Sequence, residues 1–118
     1  MNKKRILLVD DDRVFTTILK LNLRAFDVCV ENSPLRAVET ALNFKPDLVF
    51  LDIVMPDADG GNIAAQFKRD PILGRIPIVF VTATVSRTSK QEFCACEFLT
   101  KPVGREQILD CITRHLGT

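Results

Sequence analysis

Short apolar runs and amphipathic stretches alternate along this chain. The run RILLV, Arg5–Val9, reads as a buried strand. Val14, Phe15, Ile18, Leu19 and Leu21 then recur at helical spacing and predict a helix. VCV, residues 28–30, is a short second strand. NSPLRAVETALNF, residues 32–44, is a second helix, with Ser33 as N-cap and Pro34 at the first helical position. DLVFLD, residues 47–52, is a nearly all-apolar third strand. GGNIAAQFKRD, residues 60–70, carries Ile63 and Phe67 about one turn apart and predicts a third helix. IPIVFVT, residues 76–82, and EFLT, residues 97–100, are the fourth and fifth strands. GREQILDCITRHL, residues 104–116, places Ile108, Cys111 and Ile112 on one face of a final helix.

Strands alternating with helices predict an α/β fold, a doubly wound five-stranded parallel sheet with helices on both faces. Continuously apolar strands agree, because strands covered on both sides lose the hydrophobic alternation. One stretch breaks the rhythm. TVSRTSKQEFCACE, residues 84–97, is polar at first and has little apolar periodicity, so the fourth helix is expected to be shortened or irregular.

Composition narrows the classes. The 118 residues suffice for one domain with a real core, taken as 1–118, and not for two. At 47% hydrophobic, 26% charged and a net charge of +1, nothing marks a nucleic-acid or membrane binder. No apolar run approaches a membrane span, and the basic start is ended too soon by Asp10 to serve as a signal peptide. The expected location is cytoplasmic. Of the four cysteines, Cys94 and Cys96 form a C-x-C pair, read as two small residues in a reducing compartment rather than a redox pair. With no C-x-x-C pair, no zinc site is expected, and His115 reads as a surface cation near a helix C-terminus.

The chemistry gathers at strand ends. Ligands of an open parallel sheet bind beyond the carboxyl ends of its strands. The first strand runs into Asp10, Asp11 and Asp12, and the third into Asp52. The fourth ends in Thr82, and the fifth is followed by Lys101 and Pro102. Asp12 suits a helix N-cap. Asp10, Asp11 and Asp52 come from different strands, and carboxylates held together out of water need a cation. Mg2+ with oxygen ligands answers that need and keeps positions open for phosphate. Lys101 and Thr82 then read as phosphate ligands, and the site as one for phosphoryl transfer. A carboxylate can itself accept the phosphoryl group.

Two families compete for this pattern. VDDDRV has the form of an apolar strand followed by D-x-D-x-V and resembles the nucleophile motif of haloacid-dehalogenase-type phosphatases, with Asp10 attacking and Asp12 as acid/base. That family needs a further acidic motif after the lysine, and only Glu106 and Asp110, within the last helix, follow Lys101. The fuller match is to the receiver domain of two-component response regulators. ILLVDDD, LVFLDIVMPDADG, FVTA and FLTKP carry it, in the right order and over essentially the whole chain.

The resemblance to receivers implies a flavodoxin-like fold. It also implies a phosphoacceptor at Asp52, with Mg2+ on Asp10, Asp11, Asp52 and the Val54 backbone carbonyl. Lys101 would pair with the phosphoryl group, while the Thr82 hydroxyl and the Ala83 backbone N–H hydrogen-bond to it. Thr82 and Phe98 would form the switch, although by itself the sequence places Phe98 in the core. Val54 and Thr84 would tune the lifetime of the phosphoryl group, and Lys101–Pro102 would be cis. Met55-Pro56 and Gly60-Gly61 read as ordinary loop chemistry. The implied donor is a histidine kinase or a histidine phosphotransfer protein. The recipient is an output domain or a downstream protein, with no direct nucleic-acid contact. The resemblance fixes no dimer mode, and the chain reads either as a lone receiver or as the N-terminal piece of a longer regulator. Cys94 stands where receivers commonly end the fourth helix with glycine, which keeps a pseudo-receiver, an interaction module without phosphotransfer, as the other alternative.

Overall fold

The computed structural model describes residues 3–55, 58–83 and 97–117. Five parallel strands form the sheet: β1 (Arg5–Val9), β2 (Asp27–Glu31), β3 (Leu48–Leu51), β4 (Ile78–Thr82) and β5 (Glu97–Thr100). Their order is β2-β1-β3-β4-β5, with the reversal between β1 and β3. Four α-helices are described: α1 (Arg13–Asn22), α2 (Ala37–Phe44), α3 (Gly60–Arg69) and α4 (Arg105–Leu116). The expected five-stranded doubly wound sheet is therefore the fold. The stretch where a shortened fourth helix was expected, residues 84–96, lies outside the described residues, and so do Pro56, Thr84, Cys94 and Cys96.

Strand alternation divides the core in two. Leu7 and Val9 of β1, Val49 and Leu51 of β3 and Phe80 of β4 pack with Ala37, Ala41, Ile63, Ala64 and Phe67 of α2 and α3. Ile6, Leu8, Leu48, Phe50, Val79 and Val81 point the other way, onto Leu19 and Leu23 at α1 and Ile108, Cys111 and Ile112 of α4. Burial on both faces is why the strands are apolar at every position. Each large side chain withdrawn from water contributes about 1.5–3 kcal/mol.

Two helices differ in detail from the sequence reading. On α1, Thr16 and Leu19 are buried, while Val14, Ile18 and Leu21 are exposed. The apolar stripe is wider than the strip of sheet that covers it, so one flank faces outward. For the second helix, Pro34–Arg36 forms a 3-10 turn and the α-helix begins at Ala37. Ser33 makes no side-chain cap; its backbone N–H donates to Glu31 Oε2 at 2.9 Å. The α2 helix ends on Lys45 in the left-handed conformation, φ 57°.

Asp12 caps α1 as expected, its Oδ1 accepting from the Phe15 N–H at 3.0 Å. The start of α3 departs from the loop reading. Val54–Met55 pairs antiparallel with Ala58–Asp59 in a short ribbon, and Asp59 caps the helix through the Gly61 N–H at 2.7 Å. A Cβ on Gly60 would stand 2.2 Å from the Asp52 carbonyl oxygen and 2.6 Å from the Ile53 Cα. Glycine is thus demanded by close approach, with the Gly60 N–H donating to the Ile53 carbonyl at 2.8 Å.

Candidate functional site

Pairing carries on one residue past the strand ends and aims the site. The Asp10 N–H donates to the Glu31 carbonyl at 3.2 Å, and the Asp52 N–H to the Val9 carbonyl at 3.0 Å. The Lys101 N–H donates to the Thr82 carbonyl at 2.9 Å. Asp10, Asp52 and Lys101 therefore leave β1, β3 and β5 on one edge of the sheet, with Thr82 at the end of β4 between the last two. Asp10 (3% exposed) and Asp52 (7%) are buried, Asp11 is exposed, and carboxylate oxygens of all three lie within 4.8 Å of one another. An octahedral hard cation with bonds of about 2 Å can take oxygens so spaced, one from each side chain.

Lys101 supplies positive charge to this cluster. Its Nζ donates to Asp10 Oδ2 at 2.7 Å and lies 3.6 Å from Asp52 Oδ2. The same ammonium sits 4.4 Å from the centroid of Phe15, a cation–π contact. Burial raises the Asp10 carboxyl above its ordinary range, and the charge of Asp52 adds to this; the hydrogen bonds from Lys101 and the Asp12 N–H oppose it. Burial works against the Lys101 ammonium, but the bond to Asp10 and the charges of Asp10, Asp52 and Asp12 outweigh it and hold the lysine above its usual value. The Lys101–Pro102 bond is cis, as the resemblance implied.

The remaining expected site residues fall around this edge. Thr82 is buried at the end of β4, and Ala83 beyond it is exposed. Val54 lies in the short ribbon two residues past Asp52, its backbone paired opposite Asp59. Phe98 is half-buried on β5 opposite Phe80, and the rings stack with centroids 5.3 Å apart. Asp12 is occupied as the α1 cap, which suits the helix-start reading and not a phosphatase acid/base.

Sequence reasoning missed three supports. Asn32 Nδ2 donates to the Asp10 carbonyl at 2.8 Å and to Thr16 Oγ1 at 3.1 Å, fastening the end of β1 to α1. Phe15, read only as part of the α1 apolar stripe, packs against the core and also lies beside Lys101. Gly60 sets the path of the chain just after Asp52. Only the glycine pair carried a local signal, and it was compatible with any turn.

The response regulator receiver domain family matches residues 6–113, nearly the whole chain. Protein PilH of Pseudomonas aeruginosa is 33% identical over 118 residues, covering 96% of this chain and 98% of that protein. The alkaline phosphatase synthesis transcriptional regulatory protein PhoP of Bacillus subtilis is 33% identical over 113 residues, covering 92% of this chain but 46% of its own length. The chain thus spans about half or less of the length of the longer curated relatives it matches. A solved structure of the Vibrio cholerae chemotaxis protein CheY4 superposes with a TM-score of 0.89 at 24% identity, over 97% of this chain and 99% of that one. With this fold, this acidic edge and this family match, the chain belongs to the receiver domains of two-component response regulators. It is a signalling domain. Among the described residues no helix is long and apolar enough to cross a membrane.

Proposed function

We propose that this chain accepts a phosphoryl group on Asp52 from a histidine kinase or a histidine phosphotransfer protein, in a Mg2+-dependent reaction. One arrangement carries the reading: the oxygens of Asp10, Asp11 and Asp52 cluster within 4.8 Å, with the Lys101 ammonium 2.7 Å from Asp10 and 3.6 Å from Asp52. Three carboxylates are a hard donor set that fits Mg2+, which Asp10, Asp11, Asp52 and the Val54 backbone carbonyl would hold. When bound, the ion supplies charge neutralisation and open positions for phosphoryl oxygens.

A carboxylate oxygen of Asp52 attacks phosphorus, the P–N bond of the donor phosphohistidine breaks, and the freed imidazole regains a proton from solvent. Lys101 then pairs with the new phosphoryl group, and the Thr82 hydroxyl and Ala83 N–H donate to it. Thr82 draws toward the phosphoryl group, and Phe98, stacked on Phe80 and half-buried, turns inward behind it. That motion is a two-state population shift linking the site to the β5 surface. The span 1–118 acts as one domain in the cytoplasm, without direct nucleic-acid contact. Its output is an attached domain or a downstream protein.

The test is intact mass after incubation with acetyl phosphate and Mg2+, for wild type, Asp52→Asn and Asp10→Asn, with EDTA controls. A base-labile adduct that needs Mg2+ and Asp52 is the expected result. An adduct that survives Asp52→Asn but not Asp10→Asn would restore the phosphatase reading. No adduct on folded wild type would make this a pseudo-receiver.

A further inference from the structure

A second group of potential ligands lies at the opposite end of β5 from Lys101. Glu97 opens that strand, while Cys111 and His115 stand four residues apart on α4. One donor atom from each, a carboxylate oxygen, Sγ and an imidazole nitrogen, lies within 4.8 Å of the other two. Cys111 is fully buried, Glu97 half-buried and His115 at the surface, so the group has a closed side and a side open to solvent. No C-x-x-C pair marks this group in the sequence, because its third member comes from a strand well before the helix.

We propose that Glu97, Cys111 and His115 form a zinc site. Tetrahedral Zn2+ binds carboxylate oxygen, imidazole nitrogen and thiolate sulfur at about 2.0–2.3 Å, which sets neighbouring donors about 3.5 Å apart. Reaching that spacing takes a closure of at most about 1.3 Å from the 4.8 Å limit and an opening of about 0.6 Å at the 2.9 Å His115–Glu97 pair, within the range of side-chain adjustment. His115 Nε2 already stands 2.9 Å from Glu97 Oε1, so the ion enters between them. Arg114 grips both carboxylate oxygens, Nη2 to Oε2 at 2.8 Å and Nη1 to Oε1 at 3.1 Å, so the ion takes the place of the longer bond, and Arg114 is itself held by Asp110 through Nε at 3.0 Å. The Nη2 bond is then the outer hydrogen bond that orients a metal-bound carboxylate. Arg114 first, then His115, keep the Glu97 carboxyl below its ordinary range, so it is ionised and ready to bind.

Binding balances simply. The Cys111 thiol releases its proton to solvent and the thiolate, carboxylate and imidazole lone pairs bind the ion, leaving a neutral site with a fourth position for water. Burial, with the Glu97 charge, pushes the free thiol up to about 12, so it is a thiol until a metal arrives. The mixed sulfur, nitrogen and oxygen set selects a borderline ion over Mg2+, whose all-oxygen site lies at the other edge of the sheet. Zinc here clamps the last helix to the edge strand.

The test titrates the reduced full chain with Zn2+ and with Co2+, in excess Mg2+ so that the aspartate cluster does not compete. Wild type is expected to hold one Zn2+ per chain, and its Co2+ form to show a near-ultraviolet thiolate charge-transfer band. Cys111→Ser abolishes the band. His115→Ala, at a surface position where folding is not at stake, weakens Zn2+ binding by about a hundredfold, and Arg114→Gln by about tenfold. Cys94→Ser with Cys96→Ser leaves stoichiometry and band unchanged. The proposal is overturned if wild type holds no zinc, if His115→Ala binds as tightly as wild type, or if the band disappears with Cys94 and Cys96.

Discussion

Gly60→Ala offers a sharp test of the account of the Asp52 edge. Alanine within a helix usually stabilises relative to glycine by about 1 kcal/mol. Here the added methyl would lie 2.2 Å from the Asp52 carbonyl oxygen and 2.6 Å from the Ile53 Cα. Ordinary contacts between heavy atoms are about 3.5 Å, so something must move by about 1 Å. Both obstructing atoms are backbone, which cannot rotate away as a side chain tip can. Overpacking of this kind costs up to about 3 kcal/mol, and the helix preference returns about 1, leaving a net loss of about 2 kcal/mol. With a urea m-value of about 1.5 kcal/mol/M, the unfolding midpoint falls by about 1.3 M at unchanged m. The displaced carbonyl belongs to Asp52, the proposed phosphoacceptor, so acetyl phosphate labelling of the folded variant is expected to slow as well. A variant as stable as wild type, or stabilised by the usual helix gain, would refute the close-approach argument.

Other outcomes follow from the same geometry. Asp10 has a raised carboxyl, so its contribution to stability is fullest below its unfolded pKa and is lost as pH rises through the folded value. In Mg2+-free buffer, Asp10→Asn is therefore more stable than wild type at neutral pH, and the gap closes on acidification; urea midpoints across pH show it, and a constant gap would contradict it. Mg2+ at about 100 times its Kd stabilises wild type by about 2.7 kcal/mol, and thermal melts of Asp10→Asn show little of that gain. Phe98→Ala, at a half-buried ring stacked 5.3 Å from Phe80, costs about 2 kcal/mol, below the range for a fully buried phenylalanine, as read by urea unfolding. Lys45→Gly, at φ 57°, relieves a left-handed residue and gains about 1 kcal/mol in the same assay.

The local pattern was enough to locate the five strands of the parallel sheet and the four helices of the described residues, though not the short ribbon before α3, because burial on two faces makes each sheet strand apolar throughout and leaves helices their periodic stripe. It also placed Asp10, Asp52, Thr82 and Lys101 at the ends of strands, and a parallel sheet sends all those ends to one edge. The one-sided burial of α1 was not legible. Val14, Ile18 and Leu21 have the same periodicity as the buried positions, and only the width of the sheet beneath leaves them exposed. The Ser33 cap failed for another reason: the chain enters through a 3-10 turn at Pro34–Arg36, so the α-helix begins only at Ala37, four residues past Ser33.

What the sequence by itself determined, then, is the order of elements and the side of the sheet on which the chemistry lies. Tertiary structure decided everything that depends on distance between segments far apart in the chain. It brought Lys101 to Asp10 across 91 positions, placed Asn32 behind Asp10, and pressed the Gly60 backbone against Asp52. It also joined Glu97 to Cys111 and His115 at the far end of β5. Periodicity reports which face of an element is buried, whereas a site is set by where neighbouring elements end, and that follows only from packing.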